Sequence, residues 1–377
     1  MKRLLGLLLM LAPTLSLCAQ PGWEGGFWAD NNGQHINAHG GNIIHHGSTY
    51  YWYGEKRSLG GPVSSLGVAC YSSKDLRHWT DRGVVLPVSD ETESDIAKGC
   101  IIERPKVVYN PRTRKFVLWF HLELKGQGYA AARYGVATSD SPTGPFRFIR
   151  SGRVLPRQYA IGFCMPDTTD LRHQLLFPEL QEWWTPEWRK QIERGMFFVR
   201  DVKGGQMARD MTIFVDDDGK AYHIYSSEDN LTLQIAQLTD DYLAHNGTLV
   251  RVAPGGQNEA PAIFKKDGTY WMVTSGCTGW APNAARLFKA KNILGPWRQL
   301  PNPCRGEGAE RTFGAQGCYI YKVENKSERK LFGGADFVFM ADRWKPSALG
   351  DSRHLWIPIK MGNGDNATPM LQFQQEK

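Results

Sequence analysis

After its first residues the chain has no stretch of about 18 consecutive apolar side chains, so no membrane insertion is expected. It has no Ser/Thr/Pro-rich tract and no shift in composition that would mark a linker between domains. Lysine and arginine number 45 against 38 carboxylates, but they are scattered rather than gathered into runs, and nucleic acid is not expected as a partner. A Gly-rich phosphate loop and a Ser/His/Asp nucleophile elbow are both missing. No Cys-x-x-Cys pair occurs, and no cysteine stands near a histidine at finger spacing, which argues against structural zinc. Neither a cofactor nor a metal is called for. Helical periodicity is nearly absent except around Glu182 to Glu193.

What remains is a chain of 377 residues, 41% hydrophobic and 12% aromatic, able to bury a large core. Lys2-Arg3, the apolar run from Leu4 to Ala12 and Leu15-Ser16-Leu17-Cys18-Ala19 have the layout of a signal peptide over residues 1–19. Export to the periplasm or the outside is expected, with Cys18 as an alternative lipid anchor. Without Lys2 and Arg3 the formal charge of +7 becomes +5. The six remaining cysteines, Cys70, Cys100, Cys164, Cys277, Cys304 and Cys318, are an even number in a compartment where disulfides persist, although sequence does not give a pairing.

A two-part phrase recurs about five times. A turn leads into an aromatic strand at Gly47–Tyr53, Arg114–Phe120, Gly219–Tyr225 and Gly268–Val273, with a weaker copy at Arg329–Phe332. A small strand and a polar turn ending in an aromatic then follow, as at Ser73–Trp79, Ser139–Phe146 and Ala290–Trp297. Short strands, dense turns and a repeat of about 50 to 65 residues predict an all-β fold, a five-bladed β-propeller, as a single domain over 20–377. The excess length at about 150–206, with Trp183, Trp184 and Trp188, reads as an insertion that helps wall a substrate site. Asp216-Asp217-Asp218-Gly219 lacks the alternating ligand spacing of a calcium loop and reads as a hairpin turn.

The inner strands of a propeller aim polar residues into a shared funnel, where acids from different blades converge. That geometry suits glycoside hydrolysis, which needs one group to protonate the leaving oxygen and another to activate water. Three segments place a carboxylate beside strand formers or proline: Ile101-Ile102-Glu103-Arg104-Pro105-Lys106, Ala208-Arg209-Asp210-Met211 and Asn258-Glu259-Ala260-Pro261. Read alone, they are also consistent with structural carboxylates capping turns.

Together with Asn37-Ala38-His39-Gly40-Gly41 and Tyr51-Trp52-Tyr53-Gly54-Glu55, these segments resemble, in order and over almost the whole chain, glycoside hydrolase family 43. The branch most similar is that of the exo-β-1,3-galactanases. The resemblance implies a five-bladed propeller that removes terminal β-galactosyl units with inversion. It implies Glu259 as the general acid, in Glu-Ala-Pro where the family usually has Glu-Gly-Pro, and Asp210 as the carboxylate that raises the acid's pKa and orients it. The Asp that most of the family carries early in the first blade is missing from His35-Ile36-Asn37-Ala38-His39, with Asp30 nearby but out of register. The galactanase-like branch lacks it too. There, Gln316 and Glu103 are the residues implied around the attacking water, although Arg104 is placed to lock Glu103 in an ion pair. Glu55, Glu228, Asn230, Thr278 and Trp280 fall in segments that resemble that branch's sugar-contacting strand ends, and His39, beside Gly40-Gly41, is placed to hydrogen-bond a sugar hydroxyl. A polysaccharide or oligosaccharide substrate and a monomer are expected. The competing readings are a galactofuranosidase or arabinofuranosidase of the same family and a non-catalytic sugar-binding propeller.

Overall fold

The computed structural model describes residues 23–59, 65–165, 186–362 and 367–373. Its strands form five small sheets. The first holds β1 (His39–His46), β2 (Thr49–Arg57), β3 (Ser65–Ser73) and β4 (Thr80–Pro87). The second holds β5 (Ile101–Asn110), β6 (Lys115–Glu123), β7 (Arg133–Ser139) and β8 (Arg147–Gly152). The third runs through β9 (Met211–Val215), β10 (Ala221–Ser227), β11 (Thr232–Leu238) and β12 (His245–Val252). The fourth contains β13 (Glu259–Lys266), β14 (Thr269–Ser275), β15 (Arg286–Ala290) and β16 (Arg298–Leu300). In the fifth, β17 (Cys304–Arg305) lies at the outer edge, parallel to β21 (Pro369–Gln372). It is followed inward by β20 (Arg353–Met361), β19 (Phe337–Arg343) and β18 (Gln316–Lys322).

Within the first four sheets each strand pairs antiparallel with the next, as short tight turns permit. Asp267 and Gly268 both adopt positive φ between β13 and β14, the backbone a type I′ hairpin requires. Asp216–Gly219 likewise closes the β9–β10 hairpin. The inner strands β1, β5, β9, β13 and β18 touch one another in that order and back to β1, which closes the ring. This is the five-bladed β-propeller expected from the repeat.

A blade is apolar on both faces, so it is buried only between neighbours. Accordingly each of the five junctions holds its own hydrophobic cluster. Where the first and last blades meet, Trp28, Trp52, Trp79 and Trp356 pack in mostly tilted or edge-to-face pairs with centroids 4.9–6.4 Å apart. That range is the favoured one for aromatic quadrupoles.

Several expectations are corrected. Arg329–Phe332 is not a strand, because Lys326–Leu331 form a helix. Asn325 caps it by accepting the Glu328 amide at 3.0 Å, and Glu328 returns the contact to the Glu324 amide at 2.7 Å, a capping arrangement that overrides the apparent repeat. The six cysteines from Cys70 to Cys318 are all free thiols, four of them buried. Helix is found at Pro186–Arg194 and Met196–Val202. Trp183 and Trp184 lie outside the described residues.

Burial also leaves several histidines neutral. His223 Nδ1 and His245 Nε2 sit 3.1 Å apart against the Trp119 ring. Burial drives the pKa of His223 well below the usual range, that of His245 to about 3 and that of His35 to about 4. The unfolded chain protonates all three near 6.5, so the stability they contribute is complete above that pH and lost as pH falls. The melting temperature is therefore expected to fall steadily from pH 7 to pH 5. The loss is up to about 1.4 kcal/mol per pH unit for the fully buried His223, and less for the more exposed His35 and His245. In His223→Leu that pH dependence should weaken, and an unchanged slope of melting temperature against pH there would refute the assignment.

Candidate active site

The inner strands begin with the residues that matter, and four of them are irregular at that point. Register shifts fall between His39 and Asn42, Glu103 and Lys106, Glu259 and Ala262, and Gly317 and Tyr319. Gly40, Arg104 and Ala260, each directly after His39, Glu103 or Glu259, have φ of 63°, 52° and 51°. A bulge with one left-handed residue re-aims the preceding side chain, and strain in non-glycine residues collects at functional sites. At Gly40 the space matters too, since a Cβ there would lie 2.4 Å from Glu55 Oε1.

Around these strand ends lies a cavity of about 250 Å³. Glu55, Glu103, Asp210, Asn230, Glu259, Trp280 and Gln316, all anticipated from the sequence, line it. Arg104 is its hub. Its Nε donates to Asp210 Oδ1 at 3.0 Å and its Nη2 lies 2.8 Å from Asp210 Oδ2. Nη2 also donates to Gln316 Oε1 at 2.5 Å, Nη1 donates to the Gly317 carbonyl at 3.1 Å, and the guanidinium lies 5.5 Å from the Trp344 ring centre. The Arg104 amide donates to Glu55 Oε1 at 2.9 Å. Arg104 thus pairs with Asp210, not with Glu103 as expected. The guanidinium on Glu103 belongs to Arg57, whose Nη2 reaches Glu55 at 2.8 Å and Glu103 at 3.0 Å.

The carboxyl groups sit in opposite environments. Glu259 is largely desolvated, and the Asp210 anion adds to that effect, so its pKa rises to about 8 despite the Arg104 cation. Asn230 Nδ2 donates to its Oε1 at 2.7 Å. Glu103 is also desolvated, but the His121 contact, Arg57 and the Tyr129 hydroxyl at 2.8 Å outweigh burial and hold it at about 2. A protonated carboxyl and an ionised one therefore face one cavity, the division of labour that acid/base chemistry needs. Asp210 accepts the Ala260 amide at 3.1 Å, which ties it to the strand carrying Glu259. Gln316 faces two obligate donors, Arg104 and Trp344 Nε1 at 2.9 Å, so its oxygen is fixed there while Nε2 donates to Ser275 Oγ at 2.9 Å.

Three expected sugar contacts stand elsewhere. His39 is fully buried, with Nδ1 3.2 Å from Asp342, which also meets His354 at 3.0 Å. Glu228 is fully buried and bound by Arg251 at 2.7 Å through both carboxylate oxygens; Arg251 also donates to the Ile192 and Glu193 carbonyls, so the pair clamps the helix Pro186–Arg194 to the third blade. Thr278 closes an exposed turn, donating to the Ala281 carbonyl at 2.6 Å. Asp30 caps a turn by accepting the Asn32 and Gln34 amides. Conversely, His121, Tyr129, Arg209 and Trp344 line the cavity without having been singled out. The alternating His121-x-Glu123 at the end of an aromatic strand was the one local signal for any of them.

Glu103, His121 and Asp210 bring possible ligand atoms within 4.8 Å of one another. Arg57 and Arg104 already neutralise the two carboxylates, so this donor set is a poor cation site.

Comparison with known proteins gives the family. The model for glycosyl hydrolases family 43 matches residues 187–312. A family 43 β-1,3-galactosidase solved with galactodeoxynojirimycin is 55% identical, with 94% of this chain and 99% of that one covered and a TM-score of 0.85. An exo-β-1,3-galactanase from Clostridium thermocellum is 33% identical over 92% of this chain and 64% of its own, with a TM-score of 0.71. A β-D-galactofuranosidase of Aspergillus niger is 26% identical over 118 residues, 31% of this chain, which spans only about a third of that relative, 34%. With more than half its residues identical to a family member along nearly the whole of both chains, this protein belongs to glycosyl hydrolase family 43 and is a glycoside hydrolase.

Proposed function

We propose that the protein is an exported, inverting exo-galactosidase that releases terminal galactose from β-1,3-linked galactan. The observation that carries this reading is the pair of opposed carboxyl groups: Glu259, protonated up to about pH 8, and Glu103, ionised from about pH 2. In the proposed mechanism Glu259 protonates the departing glycosidic oxygen, Asp210 keeps it protonated and oriented, and Glu103 with Gln316 holds the attacking water on the opposite face. With its oxygen committed to Arg104 and Trp344, Gln316 orients that water through its amide N–H. Trp280, about a third exposed at 37% and edge-on to Trp344 at 5.4 Å, offers a flat face to a pyranose ring. A cavity of about 250 Å³ lies below the ordinary range of roughly 300–1,000 Å³ for ligand pockets, which suits one terminal sugar better than a chain. The galactosidase and galactanase relatives support galactose as that sugar. Export rests on the Lys2-Arg3 and Leu4–Ala12 layout alone.

The deciding experiment follows digestion of β-1,3-galactan by proton NMR. Galactose released first as the α-anomer is expected, whereas first release of the β-anomer excludes inversion. Release only from a galactofuranoside or arabinofuranoside changes the sugar, and sugar binding without release identifies a lectin.

Asp210→Asn tests the electrostatics. It removes the anion that raises Glu259 and leaves Arg104 free to lower it. The alkaline limb of kcat/KM, set by loss of the Glu259 proton, should move down by about 1–2 pH units. An unmoved limb is the result against it.

A further inference from the structure

Behind Glu103 lies a second buried layer. His121 stands directly opposite Glu103 across the β5–β6 pair, and Glu123 follows two residues later on the same face of β6. His121 is 1% exposed and Glu123 0%. His121 Nε2 meets Glu123 Oε1 at 2.8 Å, Nδ1 lies 3.2 Å from Glu103 Oε2, and the second Glu123 oxygen accepts the Ala132 amide at 2.8 Å. Both ring nitrogens therefore face carboxylates. Nδ1 is out of hydrogen-bond alignment with Glu103, so what it offers that carboxylate is charge: a neutral imidazole would supply none there, whereas an imidazolium attracts both carboxylates. Burial opposes that charge, but the two carboxylates overcome it and raise His121 to about 9.

The charge is needed because of Arg57. Its one guanidinium serves both Glu55 and Glu103, and two carboxylates sharing one cation tend to share a proton. Accordingly Glu55 is raised, by burial and by the Glu103 charge. The other groups facing this cluster are Tyr129, which donates to Glu103, and Asp210 with its partner Arg104 on the cavity side. Among the described residues, the only cation in ion-pair contact with Glu103 that does not also serve Glu55 is His121.

We propose that Glu123 and His121 are positioning residues: fully buried Glu123 fixes the His121 ring as a cation, and that cation keeps Glu103 ionised and aimed into the cavity. This rests on the reading that Glu103 holds the attacking water.

The test uses the intact enzyme and the glycoside it turns over. In His121→Gln the acidic limb of kcat/KM should rise by about 1–2 pH units, with kcat down about tenfold and KM within about twofold, since a positioning defect falls on the chemical step. In Glu123→Gln, a nitrogen-15 NMR titration of the His121 ring should show its proton lost about 1–2 pH units lower than in the wild type. An acidic limb superimposable on that of the wild type in folded His121→Gln overturns the proposal, as does an unchanged ring titration in Glu123→Gln. If His121→Gln does not fold, the ring titration decides alone. Glu103→Gln separates the two ideas. Full turnover there removes the water-holding reading itself, whereas lost turnover there with an unmoved limb in His121→Gln removes only the dyad.

Discussion

Glu259→Gln should lower kcat on a natural galactoside by about 10³-fold, within the 10²–10⁴ range that general acid catalysis supplies. The amide has nearly the same shape, and its oxygen can still accept from Asn230 Nδ2, now at 2.7 Å from Glu259, so substrate binding should persist. What disappears is the proton. The loss should therefore depend on the leaving group. A sugar leaving group needs protonation and shows the full effect, whereas an aryl galactoside with an acidic phenol leaves unaided and is spared most of it. The wild-type alkaline limb near pH 8 should vanish in the variant, because the group that titrates there is gone. Equal losses on both substrates would point to a binding defect instead, and undiminished turnover would remove Glu259 from the mechanism.

Arg104→Met is expected to be the most damaging single change to the site. Arg104 and Asp210 are both largely buried, with side-chain exposures of 6% and 15%. Removing the cation leaves Asp210 uncompensated, a defect that costs about 3–5 kcal/mol. The same change removes one of the two donors that fix the Gln316 oxygen, leaves the Gly317 carbonyl without its Arg104 donor, and uncovers the Trp344 face. Activity should therefore fall by more than the unfolded fraction explains, which thermal melting and kcat measured on the same sample will separate. Arg104→Lys should recover stability but little activity, because an ammonium replaces the charge without the fixed fork that reaches Asp210, Gln316 and Gly317 at once. A double-mutant cycle with Gln316→Ala should be strongly non-additive, since one side chain holds the other. Additive losses would show that Arg104 serves stability alone.

The propeller was legible because its signal is local and repeated. Aromatic strands such as Tyr50–Tyr53, with turn residues such as Asp267-Gly268, specify hairpins wherever they occur. The same reliance on local pattern misplaced the fifth copy, where Asn325 and Glu328 cap a helix over residues that look like a strand. The carboxylates were legible through their unusual company: Glu103 and Glu259 each stand two residues before a proline, at what proved to be bulges in the inner strands. Glu228 was misread because an acid at the end of a strand carries no mark of what it faces, and Arg251, its partner, lies 23 residues away.

By itself the sequence determined the five-bladed all-β fold, which depends on turn chemistry and periodicity, and its resemblance to family 43 singled out Glu259, Asp210, Glu103 and Gln316 as a candidate set. Only the tertiary structure decided which cation serves which anion: Arg57 with Glu55 and Glu103, Arg104 with Asp210 and Gln316, His121 between Glu103 and Glu123. The physical reason is that ionisation and orientation depend on burial and on charges within a few ångströms, and five blades closing on one axis bring together distant residues such as Arg104 and Gln316, 212 positions apart in the chain.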